Sequence, residues 1–543
     1  LINTGTPQVG PQSGWIGPRP NLHAAFDAFN AEWINFTYSP LGDSGVSTGV
    51  AWGDYDNDGD LDVYVSNCYN PNKLFRNEGG GIFVDATSSP LDNADCSYGV
   101  AWGDYDNDGD LDLYLANCGS GSWNLLFRND GAGVFVDATT DPLWDTACGI
   151  AVAWGDFDND NDLDIYLVNG DSCKYFRNDG SGVFVDATTG PLSCPGENRD
   201  VACADYDNDN DLDIYVVNGA MYPNKLLRND GSGVFVDVTS GPLGDMGSAR
   251  GVDWGDYDND GDLDVYFANY NTGNKLLRND GGGTFTDVTT TVLADGGNPT
   301  NVAWGDYDND GDLDLFIAKT NVAFLGVNKL LRNDGGGVFV DATSGALADT
   351  GIWFGASLGD FDNDGDLDLY VANAGGSNRL LMNQKGSSNH WLHVNLVGVV
   401  SNRSAIGARL RAVSGTLSQI REISGGSGYM SQNSLTAEFG LGSRTSVDTL
   451  EIRWPSGTVQ RLTNLTVDTL LTITESAFIR GDATGDGKID IGDVVYLINY
   501  LYKNGTAPNP LAAGDATCDG KVDVGDIVYL INYLFKNGPP PPC

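Results

Sequence analysis

Histidine is nearly missing from this chain: three residues in 543, at His23, His390 and His393. That scarcity removes the commonest general base and zinc ligand, and His390 and His393, three apart in an extended stretch, fall on opposite faces. No nucleophile elbow, phosphate loop or zinc signature is present either. The chain therefore reads as a non-enzyme, and its abundant carboxylates leave a glycosidase pair or a calcium-assisted polysaccharide lyase as the catalytic alternative. Basic residues are also few, 29 Lys and Arg against 75 Asp and Glu, for a formal charge of −46. So acidic a surface excludes nucleic acid as a partner. No run of about 18 apolar residues occurs, so no helical membrane span is expected. The first residue is Leu rather than Met, which fits a mature secreted form.

What is abundant is one acidic phrase, Asp-Tyr/Phe-Asp-Asn-Asp-Gly/Asn-Asp-Leu-Asp, present seven times with successive gaps of 50, 52, 49, 51, 50 and 54 residues. A period of that size marks a repeated supersecondary unit. Its aspartates occupy loop positions 1, 3, 5, 7 and 9. They are Asp54, Asp56, Asp58, Asp60 and Asp62 in the first copy, and Asp104, Asp106, Asp108, Asp110 and Asp112 in the second. The third has Asp156, Asp158, Asp160, Asp162 and Asp164, and the fourth Asp205, Asp207, Asp209, Asp211 and Asp213. The fifth has Asp256, Asp258, Asp260, Asp262 and Asp264, and the sixth Asp306, Asp308, Asp310, Asp312 and Asp314. Asp360, Asp362, Asp364, Asp366 and Asp368 complete the set. Carboxylates at alternate positions of a tight loop converge on one point, which suits Ca²⁺ with its six to eight oxygens, position 7 contributing a main-chain carbonyl. Position 6 needs a residue tolerant of positive φ: Gly in five copies, Asn161 and Asn210 in the other two. A merely solvated acidic loop would leave these carboxylates repelling one another.

Each phrase is preceded by a short apolar strand, Gly49 to Gly53 in the first copy, and followed by an alternating one, Leu61, Val63 and Val65 against Asp62 and Tyr64. A third strand, Asn72 to Asn77, and a fourth, Ile82 to Thr87, complete the unit. Four strands in each of seven repeats predict a mainly β chain, a seven-bladed β-propeller over residues 31–388. The seventh repeat lacks its fourth strand after Asn378 to Asn383. Trp33-Ile34-Asn35-Phe36-Thr37 aligns with Phe83-Val84-Asp85-Ala86-Thr87, so residues 31–41 are expected to close the last blade and remove an open edge. Trp52, Trp102, Trp154, Cys203, Trp254, Trp304 and Leu358, two residues before each loop, read as packing between blades.

These repeats resemble the FG-GAP or VCBS repeats of integrin α-subunit propellers, whose calcium loops follow the same Asp-x-Asp-x-Asp-Gly-x-x-Asp pattern. The resemblance covers residues 31 to 385. It implies that the loops join the first and second strands on one face and that partners dock on the other. Residues 389–478, with Asn402-Arg403-Ser404-Ala405-Ile406-Gly407, Gly425-Gly426-Ser427-Gly428-Tyr429 and Arg453-Trp454-Pro455-Ser456-Gly457, resemble the ASPIC/UnbV module that follows such repeats in relatives of cartilage acidic protein. Alternation in Leu392 to Leu396 and Thr449 to Trp454 predicts a small β-sandwich.

Residues 479–543 carry two further loops, now with an acidic residue at position 12 and an apolar helical run behind it. Candidate ligands are Asp482, Thr484, Asp486, Lys488 (through its carbonyl), Asp490 and Asp493, then Asp515, Thr517, Asp519, Lys521, Asp523 and Asp526. The pair resembles a type I dockerin. Ile491-Gly492 and Val524-Gly525 stand where that family has polar cohesin-contacting residues, which argues against a cohesin partner.

Seven repeat loops and two helix-preceding loops give about nine Ca²⁺ sites. Millimolar calcium points to a secreted, extracellular or cell-surface protein. Cysteines agree: Cys68 with Cys96, Cys118 with Cys148 and Cys173 with Cys194 fall at matching places in three repeats, where a propeller brings both loops to one face, so each pair is expected to bridge. Cys518 would tie down Cys543, leaving Cys203 as a buried thiol. Two readings of function follow: a structural or adhesive subunit that self-associates into an extracellular assembly, the Pro/Gly-rich segment 1–30 docking on a neighbour; or a binding module offering Tyr69, Tyr98, Trp123, Trp144, Tyr222, Arg250 and Trp353 on its non-calcium face to a glycan or protein. Sequons at Asn35, Asn402, Asn464 and Asn504 permit glycosylation.

Overall fold

The computed structural model describes residues 32–541 except 120, 220, 271, 321–325, 386–388, 477, 486–487, 519 and 537, and also residues 5–6 and 19–20. The chain is mainly β. In the first repeat, strands Ser47–Gly53, Asp62–Asn67, Lys73–Asn77 and Phe83–Asp85 pair in chain order as an antiparallel sheet resembling a propeller blade. Five more sheets repeat that order. Another joins Trp353–Gly359, Asp368–Asn373 and Arg379–Asn383 to the distant strand Trp33–Asn35, with Trp33 opposite Asn383. Phe83 opposes Asn77 in the same register in the first sheet.

Alternation within the second strand does not mean one wet face. All six residues of Asp62–Asn67 are buried, because each sheet is covered on both sides. Val63 and Val65 enter one apolar cluster with Trp52 and Phe75, while Tyr64 enters the next with Ala51 and Trp102. The innermost strands lie against one another in sequence, and Trp353–Gly359 lies against Ser47–Gly53. Tryptophans join neighbours: Trp102, Trp154, Trp254 and Trp304 stack on Tyr55, Tyr105, Tyr206 and Tyr257 with ring centroids 6.2–6.5 Å apart. Where Cys203 replaces Trp, Phe157 packs edge-on against Tyr175 and Phe235 instead.

Disulfides join Cys68 to Cys96 and Cys118 to Cys148. The third expected bridge is absent: Cys173 and Cys194 are buried free thiols, as is Cys203. Cys194 sits in a left-handed conformation and its sulfur is engaged by hydrogen bonds, accepting from Tyr166 Oη and donating to the Pro191 carbonyl, each at 3.3 Å. Cys543, the expected partner of Cys518, lies outside the described residues, as does nearly all of segment 1–30. Asn402 is wholly buried, bonded through its amide to both main-chain groups of Ile406, so this sequon is closed to glycosylation.

Behind the repeats, a three-stranded sheet (His390–Val397, Ala437–Gly442, Thr469–Thr474) and a four-stranded one (Leu417–Glu422, Arg409–Ser414, Ser446–Arg453, Val459–Thr466) share a core of Leu392, Phe439, Leu410 and Ile452. That core runs on into Trp154 and Leu163 of the repeats, so the two modules share one apolar interior. Helices Ile491–Lys503 and Val524–Lys536 pack together through Val494, Leu497, Ile527 and Leu530. No helix among the described residues is long and apolar enough to cross a membrane.

Candidate metal centres and the face they share

In the first loop Asp54 accepts the Asp58 amide with Oδ1 and the Gly59 amide with Oδ2, both at 3.0 Å, folding the chain back on itself. Asn57 and Gly59 hold φ of 59° and 92°, and Asn161 and Asn210 take 74° and 75° at the glycine position. Asp62 is wholly buried and accepts the amides of Asn77 at 2.7 Å and Tyr55 at 3.3 Å. These bonds tie the loop to its own sheet. Asp58 Oδ1 accepts the Asp60 amide at 3.0 Å.

Asp56 is the exception. Its Oδ1 is buried with no hydrogen-bond partner among the described residues, and the same atom is orphaned at Asp106, Asp158, Asp207, Asp258, Asp308 and Asp362. An unpaired buried polar atom costs about 1–3 kcal/mol, more if charged, and here the position recurs in every copy. Oxygens of Asp54, Asp56 and Asp58 lie within 4.8 Å of one another, as do those of Asp205, Asp207 and Asp213 in the fourth loop. Burial pushes Asp54 up to about 6 and Asp62 to about 9, with neighbouring carboxylates adding to both. The donor set is all oxygen, anionic and convergent, and one acceptor in each loop lacks a donor. Such a site fits a hard divalent cation such as Ca²⁺.

Position-7 side chains turn elsewhere. Asp110 Oδ1 accepts from Asn57 Nδ2 at 2.9 Å, Asp162 from Asn107 at 2.9 Å, Asp262 from Asn208 at 2.8 Å, and Asp60 from Asn363 at 2.9 Å. Asn159, Asn259 and Asn309 make the same bond to Asp211, Asp312 and Asp366. A second series runs from the third strands, Asn129 Nδ2 to the Tyr55 carbonyl and Asn77 Nδ2 to the Phe361 carbonyl, each 2.8 Å. Sequence reasoning missed both. Their signal was there, in an Asn at position 4 of all seven phrases and at the end of every third strand.

In the C-terminal loops, position-12 Asp493 accepts the Thr484 amide at 2.9 Å and the Asp490 amide at 2.8 Å, and Asp526 does the same for Thr517 and Asp523. Asp486 and Asp519 lie outside the described residues.

The β-sandwich sits on the loop face. Arg403 N donates to Asn107 Oδ1 at 2.7 Å, Ser404 Oγ accepts the Asp104 amide at 3.0 Å, and Glu422 accepts the Asp205 amide at 3.2 Å. From it, segment 423–434 enters the space between the innermost strands. The Gly425 carbonyl accepts the Trp154 amide at 3.0 Å, and Gln432 brackets Trp102, accepting its amide at 2.7 Å and donating to its carbonyl at 3.0 Å. Tyr429 O accepts from Asn301 Nδ2 at 2.9 Å, and Asn433 Oδ1 accepts the Leu358 amide at 2.9 Å. A Cβ on Gly425 would fall 2.2 Å from the Trp154 carbonyl. Gly425→Val should therefore unseat the segment at a cost of about 1–3 kcal/mol or more, and limited proteolysis should cut within 423–434 where the parent chain resists. Equal resistance would contradict this seating.

On the opposite face Tyr69, Trp144, Trp123 and Tyr222 are exposed, the two tryptophans packed together at 6.0 Å. Trp353 is not: as the first residue of its strand it points between sheets into a cluster with Leu347 and Leu358, and is buried. Tyr98 and Arg250 are half-buried.

An FG-GAP-like repeat model matches residues 54–115, 156–216, 216–267, 256–317 and 320–371, together just over half of the chain. Models for ASPIC and UnbV and for the Dockerin type I domain match 398–479 and 480–535. Cartilage acidic protein 1 of Mus musculus is 27% identical over 254 residues, covering 43% of this chain and 38% of the relative, and that of Xenopus tropicalis 28% over 256 residues, covering 44% and 38%. The matched region thus spans well under half of either relative. Among solved structures, the BP39L lectin from Burkholderia pseudomallei is 12% identical with a TM-score of 0.44, covering 62% of this chain and 96% of its own. YCF48 bound to D1 peptide is 9% identical with a TM-score of 0.44, covering 65% and 96%. With its repeats, its sandwich and its paired helices each matched in chain order, the chain belongs to the FG-GAP-like repeat family and carries ASPIC/UnbV and type I dockerin modules behind the repeats.

Proposed function

We propose that this is a calcium-stabilised, extracellular structural or adhesive protein whose seven sheets close into one propeller with a cation in each loop. The observation that carries this reading is the orphaned position-3 oxygen in all seven loops. Support for closure comes from Asn363 reaching Asp60 and Asn77 reaching the Phe361 carbonyl, bonds that return the last repeat to the first. The two C-terminal loops would bring the total to about nine Ca²⁺. Two disulfides favour an oxidising compartment. Self-association into an assembly and the lack of enzymatic activity belong to this proposal. Metal analysis of the purified chain should return several calcium ions per molecule, and sedimentation in millimolar Ca²⁺ should show species larger than the monomer. A calcium-free chain, or a strict monomer at high concentration, would end one half of the proposal or the other.

The dockerin match supports a cohesin-type partner, against the expectation drawn from Ile491-Gly492 and Val524-Gly525. A second reading, a ligand-binding propeller, is favoured by the opposite face: the loop face is covered by the sandwich, while Trp123 and Trp144 stand exposed.

A further inference from the structure

Charge on the repeats is balanced almost pair by pair. Among the described residues 32–385, every Lys and Arg but one lies within 4.0 Å of a carboxylate. The exception is Arg250. It is the second residue of the innermost strand Ala249–Gly255, at the end away from the acidic loops, and its guanidinium lies 4.1 Å from the ring centroid of Tyr270. The same strand position holds Arg199 in the preceding repeat, paired with Glu197, and Tyr98 and Phe354 elsewhere round the ring.

The inserted segment completes this mouth. Its tip, Tyr429 and Met430, packs with Ile150, Tyr98 and Phe354, and both arginines act electrostatically on the Tyr429 phenol. The centre of the face therefore has an aromatic floor to which both modules contribute, Tyr429 from the inserted segment and Tyr98 and Phe354 from the repeats, beside a stacked guanidinium of the repeats with no carboxylate within 4.0 Å. In a chain with a formal charge of −46, a half-buried cation left without a carboxylate marks a place for an external one. Guanidinium takes carboxylate through two parallel hydrogen bonds, and aromatic rings take the C–H face of a sugar. A peptide has less to hold. The innermost strands pair with their own second strands on one side, and on the other segment 423–434 makes main-chain bonds to four of them, at Val50 and Trp52, Trp154, Val252 and Leu358, which leaves less strand edge here for main-chain pairing.

We propose that this mouth, formed by Arg250 with Tyr98, Phe354 and the Tyr429 tip, binds a carboxylate-bearing sugar, a hexuronic acid residue of an acidic polysaccharide. The assignment rests on the ligand-binding reading of the face. Because the rest of the chain repels anions, binding should hold or strengthen as ionic strength rises from ~0.01 M to ~0.15 M, unlike attachment to a broad basic patch.

The test is calorimetric titration of the calcium-loaded full chain with a glucuronate-containing hexasaccharide, its carboxyl methyl ester and an acidic peptide. The hexasaccharide should bind, and both esterification and Arg250→Ala should weaken it at least tenfold, with Arg250→Lys in between. Melting temperatures of the variants report whether the fold is kept. Undiminished binding by folded Arg250→Ala would overturn the site, as would equal binding of the ester or the peptide. If a neutral glycan binds instead and Arg250→Ala leaves it untouched, the uronate site falls while the ligand-binding reading stands. Absence of binding by every probe counts against both.

Discussion

Excess EGTA should lower the melting temperature by well over ~10 °C. Each loop loaded at about a hundredfold over its dissociation constant adds on the order of 2.7 kcal/mol to the native state, so a handful of loops contributes on the order of 10 kcal/mol. Removing the cation leaves three or more carboxylates facing one another around an oxygen such as Asp56 Oδ1 that has no donor. An unchanged melting curve, followed by calorimetry, would sink the calcium assignment. The calcium-free protein should also show a distinctive pH dependence. Asp54 and Asp62 are raised by burial from 3.8 to about 6 and about 9. A carboxyl group raised in the folded state favours folding when protonated, and that stability is lost as pH climbs through the folded value. The calcium-free chain should thus melt lower at pH 9 than at pH 5. With calcium present the trend should vanish or reverse, since the cation competes with protons for the same oxygens.

Deleting residues 1–41 should cause aggregation or loss of a cooperative transition. The deletion removes strand Trp33–Asn35 from Arg379–Asn383, the Thr37 hydroxyl that accepts the Leu380 amide at 2.8 Å, and the Leu41 carbonyl that accepts Tyr370 Oη at 2.7 Å. It also strips Trp33 and Leu41 from apolar clusters in which both are buried. Loss of one such side chain costs about 3–5 kcal/mol, and the strand left behind presents unpaired main-chain groups to other molecules. Light scattering on the truncated chain decides the matter: a monomer with the parent melting profile would mean that this sheet does not depend on the N-terminal strand. Trp33→Ala alone should give a milder loss without aggregation, because the main-chain pairing survives.

Local chemistry repeated seven times was legible in the residues. Positions 1, 3, 5 and 9 of each phrase, the glycine or asparagine at 6, the four-strand unit and the N-terminal stand-in for the missing strand all follow from short-range rules of loop geometry, alternation and edge pairing. Two disulfides were legible for the same reason, since matching loops of one repeat unit must lie together. The third pair was legible only as a meeting: Cys173 and Cys194 lie in hydrogen-bond contact as free thiols, the Cys194 sulfur also engaged by Tyr166 and Pro191. Only the tertiary structure brings Asn363 to Asp60 across 303 residues, or Gln432 to Trp102 across 330. No periodicity encodes such meetings: a polar side chain reads alike in sequence whether it faces water or an orphan amide of a distant strand. That segment 423–434 enters between the innermost strands, that Trp353 turns inward, and that Arg250 alone among the described lysines and arginines of residues 32–385 has no carboxylate within 4.0 Å were settled by packing, where burial makes each unpaired group costly and long-range geometry decides which partner it finds.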